Sequence, residues 1–167
     1  GSAVTGNIAS DTLVVLAAPR LSISLDDYAV PGTTVMAELR LAYSESAAAD
    51  IADLAFTIDL DAALNGMTMT SATPSAICGS GSSSSGTSTI SFSGGSLAAN
   101  GQCSFSVTFQ IPSGATPALY ILTSSTVTGT TAATSVASAA VSKALTVSGL
   151  TLSKTFLTNN LLPGDTV

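Results

Sequence analysis

Histidine and tryptophan are both missing from this 167-residue chain, aromatics make up 5% of it, and charged residues only 8%. Without histidine the chain lacks the commonest general base and the commonest metal ligand. A Ser-His-Asp or Cys-His site within it is therefore excluded, and its many serines read as ordinary strand and loop residues. Charged residues are far below the roughly 25% of an ordinary soluble domain. The only cations are Arg20, Arg40, Lys143 and Lys154, and the net charge is −6. Four scattered cations cannot neutralise a phosphate backbone, which argues against nucleic acid as a partner. The same shortage argues against an anionic membrane surface. No apolar run approaches the ~20 residues of a membrane span, so membrane insertion is not expected. There is no secretory signal and no Asn-x-Ser/Thr sequon, and Gly1-Ser2 reads as a cloning remnant.

What the chain does hold is Ala, Val, Leu, Ser, Thr and Gly in period-2 patterns, which suit pleated strands better than solvated helices. Leu13, Val15 and Ala17 alternate with their neighbours, and so do Leu21, Ile23 and Leu25. Val35, Ala37, Leu39 and Leu41 oppose Met36, Glu38 and Arg40; Phe56, Ile58 and Leu60 oppose Ala55, Thr57, Asp59 and Asp61. Ile90 and Phe92 mark a short strand, and Phe105, Val107, Phe109 and Ile111 the clearest one. Leu119–Val127 and Val136–Val147 complete the set. Pro31-Gly32, Asn65-Gly66, Gly94-Gly95, Asn100-Gly101 and Ser113-Gly114 read as turns. Ser46–Asp50 is the one helical candidate, about one turn long, and Gly79–Gly86 reads as a flexible loop with no packing role.

Strands at this spacing predict an all-β, immunoglobulin-like antiparallel β-sandwich. The expected core is Ile23, Leu25, Val35, Leu39, Leu41, Phe56, Ile58, Leu60, Ile90, Phe92, Phe105, Val107, Phe109, Tyr120 and Leu122. The two cysteines, Cys78 and Cys103, read as one disulfide in an oxidising compartment, stapling the hairpin that holds the serine loop. A pair of buried free thiols is the other reading.

One internal echo bears on organisation. Residues 21–35 (LSISLDDYAVPGTTV) align with residues 152–167 (LSKTFLTNNLLPGDTV), placing Pro31-Gly32 on Pro163-Gly164. Upstream, Ser10–Val15 echoes Ser142–Val147, and both stretches share an offset of 131–132 residues. An offset of one domain length predicts a tandem array, with coincidence in a low-complexity sequence as the alternative. On the array reading, residues 1–20 hold the cloning remnant and either the last strand of a preceding repeat or the first strand of this domain. Residues 21–150 are then one repeat, and residues 151–167 start the next.

The segments Asp50–Asp59, Ile77-Cys78-Gly79 and Ile90–Cys103, with Ser93-Gly94-Gly95-Ser96-Leu97-Ala98-Ala99-Asn100 before the second cysteine, carry a resemblance. Together they resemble the immunoglobulin-like tandem repeats of large bacterial cell-surface proteins, a family of unknown function. In that family the paired cysteines flank a Gly/Ser-rich hairpin. One departure is that Asp61-Ala62-Ala63-Leu64 stands where the family has a proline after the Phe-Thr strand. The resemblance implies an extracellular, cell-surface stalk or adhesin segment and no catalytic residues.

Each remaining candidate has a plainer reading beside it. Asp59 and Asp61 fall on one face of the expected strand, about 7 Å apart, the arrangement of a paired-carboxylate hydrolase. The plainer reading is a solvated strand face. Asp26 and Asp27, just before the Pro-Gly turn, are candidate calcium ligands, since extracellular β repeats use carboxylates and carbonyls this way. The plainer reading is turn capping by aspartate. Lys143 and Lys154 are candidates for a lysine–asparagine crosslink, for which no asparagine partner is apparent. The expected partners are neighbouring repeats of the same chain, and exposed strand edges also allow self-association. The function expected is that of a non-enzymatic spacer or adhesive unit. A filament subunit joined by strand donation and a carbohydrate-binding module are the alternatives.

Overall fold

The structure is a computed structural model that describes residues 15–44, 49–72 and 74–149. The expected strand at 11–18, the helical candidate at 46–50 and the second copy of the echo fall wholly or largely outside the described residues. Residues 15–19 lead into the first strand without forming one themselves.

Alternation decides the first sheet. In β3 (Thr34–Ala42), Val35, Ala37, Leu39 and Leu41 are buried and the residues between them exposed. β1 (Arg20–Leu25) buries Leu21, Ile23 and Leu25, and β8 (Gln102–Gln110) buries Phe105, Val107 and Phe109. Antiparallel pairing sets Leu21 opposite Leu41, and Leu39 opposite Phe105. A slip of one residue would turn every one of these side chains to water, so the pattern fixes the register. The short β5 (Thr68–Met69) closes this sheet in the order β1-β3-β8-β5.

The second sheet runs β11-β10-β4-β7-β6. It contains β4 (Ile51–Asp59), β6 (Ser83–Ser85), β7 (Thr89–Leu97), β10 (Val127–Thr131) and β11 (Thr134–Ser138). A third, three-stranded sheet runs β2-β12-β9, from β2 (Tyr28–Ala29), β9 (Ala118–Thr123) and β12 (Ser142–Val147). The whole is an immunoglobulin-like antiparallel β-sandwich; the β2–β12 pair alone among the described pairings is parallel. Phe105 of the first sheet stacks on Phe92 of the second at 5.6 Å between centroids, and Phe92 on Phe56 at 5.2 Å. Such pairs add about 0.5–1.5 kcal/mol beyond the area they bury. Of the expected core, only Tyr120 falls short of full burial; its hydroxyl donates to the Thr116 carbonyl at 2.9 Å.

The last strands form one long hairpin. β9 pairs with β12, and β10 with β11, in one continuous register from Ala118–Val147 to Thr131–Thr134. Between the two halves the backbone bends at Ser124 and Val141: the Ser124 amide donates to the Val141 carbonyl, and the Ser124 hydroxyl accepts from the Val141 amide. The tip half joins the second sheet through β4, while the base half leaves it and pairs with β2.

Four local expectations are corrected. Gly94-Gly95 makes a bulge inside β7: Phe56 faces Phe92 but Leu54 faces Gly95, so two β7 residues oppose one on β4. Gly94 has φ +70°, and a Cβ on Gly95 would lie 2.7 Å from the Phe92 ring. Asp59 does not continue the strand into Asp61, because Leu60–Ala63 is a helical turn, α1. The serine loop packs: Ser83–Ser85 is an edge strand, and Ser82 and Ser84 are buried. Their hydroxyls donate to the Gly79 and Pro74 carbonyls at 2.9 and 3.0 Å, which removes the cost of hiding them. Finally, the single run expected at 119–127 is two strands, followed by a tip that no turn dipeptide announces.

That tip is Ala132-Ala133, with φ of +46° and +59°. Positive φ at both central positions is the type I′ hairpin turn, where a Cβ costs roughly 1–2 kcal/mol per residue. Replacing Ala132 by Asn together with Ala133 by Gly is expected to stabilise the fold by about 1 kcal/mol. A thermal melt checks this: the midpoint rises by a few degrees, and an unchanged or lower midpoint would show that the turn carries no strain.

Candidate functional site

The two cysteines are disulfide-bonded, with Cα atoms 5.5 Å apart. Cys103 lies on β8 opposite Leu41, and Cys78 is buried in the segment leading to β6. The Cys78 amide donates to the Ser82 hydroxyl, and its carbonyl accepts from the Ser96 amide of β7 at 2.6 Å. The bond therefore ties the first sheet to a segment hydrogen-bonded to the second. The β6–β7 hairpin that holds the serine segment lies between the two cysteines, and the bond anchors it to the first sheet.

The described carboxylates are mostly engaged in shaping backbone. Asp59 caps α1, accepting from the Ala62 amide at 3.0 Å, and Asp61 accepts from the Gly66 amide at 2.6 Å. The hydrolase-like pairing of Asp59 with Asp61 on one strand face is thereby removed. Asp50 accepts from the Ala99 amide at 3.1 Å. Asp53, at φ +54°, is the extra residue of a second bulge in β4.

Asp27 forms an ion pair with Lys143 of β12 at 2.8 Å, with its own side chain 72% exposed. An exposed pair of this kind contributes about 0–1 kcal/mol, less at high salt. The calcium site expected at Asp26 and Asp27 finds no support. Asp27 is already neutralised by Lys143, and among the described residues no three carboxylate, cysteine or histidine side chains converge. The crosslink candidate Lys143 likewise meets an aspartate where an asparagine is required. Lys154 lies outside the described residues.

What the structure adds is a surface. Six large hydrophobic residues are exposed among those described, and four of them, Tyr28, Val30, Leu119 and Ile121, belong to or adjoin the outer side of the third sheet. Leu119 faces Thr146, which faces Tyr28 across the parallel pair, and Ile121 faces Ala144. Exposed large apolar side chains grouped on one sheet face make this face a candidate contact surface. Periodicity gave no warning of it, since Leu119, Tyr120, Ile121 and Leu122 are all apolar and either parity could have faced the core.

The two ends of the described chain lie at opposite ends of the strands. Arg20 begins β1 opposite Ala42, at the far end of β3, while Ser148 donates to Ala29 just beyond β2. Beside the incoming segment is a cleft of about 630 Å³ lined by residues including Ala18, Pro19, Arg20, Leu21, Ala140 and Val141. No described helix is long and apolar enough to cross a membrane.

No family model matches the chain, and no curated protein does. Among solved structures it is similar to the cohesin module of a Clostridium perfringens family 33 glycoside hydrolase. The identity is 12% and the TM-score 0.52, over 78% of this chain and 97% of that one. A family 123 glycoside hydrolase from Clostridium perfringens overlaps 79% of this chain but 28% of its own length, at 15% identity and a TM-score of 0.40. At such identity the cohesin likeness shows the β-sandwich fold.

Cutting the disulfide tests the sheet-to-sheet tie. The bond spans 25 residues in sequence. Closing a loop of that size restricts the unfolded chain by about 3 kcal/mol. The Cys78→Ser, Cys103→Ser variant is expected to melt well below the oxidised protein in a calorimetric scan. Equal midpoints would show that the bond contributes nothing to the fold.

Proposed function

We propose that this chain is a non-enzymatic structural unit of an extracellular, cell-surface protein, set in series with neighbours and serving as a spacer or stalk. The observation that carries this reading is that β1 begins and β12 finishes at opposite ends of the strands. A unit entered at one end and left at the other adds length to a chain.

Three further observations support it. The disulfide fits an oxidising compartment. The internal echo at 131–132 residues and the resemblance to bacterial surface repeats fit an array. The cohesin module similar in fold is itself a part of a longer protein. The absence of histidine and the use of Asp59 and Asp61 as backbone caps speak for a mechanical role over a catalytic one.

The topology suits tension. A pull on the two ends acts along β1 and along β12. It shears β1 against β3 over six pairs and β12 against β9 over six more. Interstrand hydrogen bonds lie across the strands, so a sheared pair breaks together instead of unzipping bond by bond.

Single-molecule stretching between the chain ends tests the function. A distinct force peak is expected for each unfolding event. Reducing the disulfide should lengthen the released chain by about 85 Å, the extended length of the 25 residues it spans. Extension without a force peak would contradict a load-bearing role.

A further inference from the structure

Among the described residues, every sheet edge but one is short, charged or covered. β2 and β5 have two residues each. β6 is covered by the segment before it, through a Ser75–Ser83 bridge and a Ser84 amide that donates to the Pro74 carbonyl. β1 carries Arg20 at its start and runs on into Asp26 and Asp27. β9 has α1 packed beside it. These are the usual ways in which a protein keeps its strand edges from pairing with other chains. β11 uses none of them. Its five residues, Thr134–Ser138, hold no charge, no proline and no bulge, and among the described residues β11 pairs with β10 alone.

The hairpin fixes which backbone groups stay open. Thr131 and Thr134 flank the two-residue tip and so form a hydrogen-bonded pair, and such pairs alternate along an antiparallel ladder. Val136 then bonds Gly129, and Ser138 bonds Val127, which leaves the amides and carbonyls of Ser135 and Ala137 pointing away from β10. Those two residues are exposed, whereas Val136 is half-buried against the core. No charged residue lies between Asp61 and Lys143 in the sequence, so two such edges bring no like charges face to face despite the net charge of −6. Ser138 is half-buried too, and its hydroxyl oxygen is closed off from water with no hydrogen-bond partner among the described residues.

We propose that β11 pairs antiparallel with β11 of a second copy of this chain, about a two-fold axis at Val136. Ser135 of each copy then lies opposite Ala137 of the other, and these are the residues whose backbone groups are open. A hydrogen-bonded antiparallel pair exchanges both its N–H···O bonds, so every open group of Ser135 and Ala137 finds a partner. A slip of two residues in either direction would carry one of the two past the end of the strand. On the core side Val136 meets Val136, and Ser138 stands opposite Thr134, with Cβ atoms about 4.5–5.5 Å apart. Rotation of Ser138 about χ1 lets the two hydroxyls bond. The contact is isologous, so it closes as a dimer. It is also small: five residues a side, against about 20–30 in a stable complex between free proteins. Isolated chains are therefore expected to pair with a dissociation constant on the order of 1 mM. The pairing uses the side of the unit and does not rest on the series reading.

Disulfide trapping captures so brief a contact and reads its register. Two variants at exposed positions, Ser135→Cys and Ala137→Cys, are mixed at millimolar concentration with the native disulfide intact and oxidised with copper phenanthroline. Residues directly opposite in a hydrogen-bonded pair have Cα atoms about 5.5 Å apart, within the range a disulfide spans, whereas the diagonal neighbours that a homodimer would have to join are about 7–8 Å apart. The expected result is a heterodimer formed several-fold faster than either homodimer. A control cysteine on the outer face of the first sheet, Ser106→Cys, should trap Ala137→Cys only at the background rate of random collision. A heterodimer no faster than that background would overturn the proposal, because the edge would then have no affinity for its own copy. Either homodimer in excess would overturn it as well, since the open groups of Ser135 and Ala137 would not then be the ones that pair. Both failures leave the stretching experiment and the series reading untouched.

Discussion

From Ala118–Val147 to Thr131–Thr134 two strands keep one hydrogen-bond register while passing from one sheet to another. The bend at Ser124 and Val141 makes this possible, because the Ser124 hydroxyl takes the amide that the turning ladder leaves without a strand partner. Were the hairpin straight, β12 would stay beside the second sheet and β2 would have no partner. Because it bends, the last strand lies parallel to β2 and the chain leaves at the end opposite to where β1 began. The series reading, the shear geometry and the exposed face of the third sheet all depend on that one bend.

The core that holds the bend in place is built with little. Lacking tryptophan, the sandwich uses a stack of three phenylalanines, Phe56, Phe92 and Phe105, to join its sheets, with aliphatic side chains around it. Gly95 is small because Phe92 needs its space. The disulfide ties the two sheets a second time, through Cys78 and the Ser96 amide. Two independent ties across a sandwich make it resist sliding of one sheet over the other, which is the deformation that tension along the strands would produce.

Much of this was legible in the chain. β3, β8 and β1 alternate cleanly, so their strands and inward faces followed from period alone, and fourteen of the fifteen expected core residues are buried. Three kinds of feature were not legible. Serines at 82 and 84 looked like a solvated loop, because a hydroxyl that bonds a nearby carbonyl can be buried at little cost, and composition does not show the carbonyl. The Ala132-Ala133 turn has no glycine or asparagine to announce it, and the surrounding hairpin imposes its strained geometry. The face carrying Leu119 and Ile121 was hidden by a run apolar at both parities. For the candidate sites the lesson is topological: Asp27 could be read as a metal ligand only while its neighbour across 116 residues of sequence, Lys143, was unknown.

The central claim is that the chain enters and leaves at opposite ends of a rigid unit. Spin labels at Arg20→Cys and Ser148→Cys, measured by double electron–electron resonance, test it most directly. Ser148 lies beside Ala29, nine residues along the strand direction from Arg20. The account predicts a narrow distance distribution centred at about 20–30 Å, the length of β1 plus the stretch that carries the chain on to β2. A distribution centred below about 15 Å would place both ends together and contradict it.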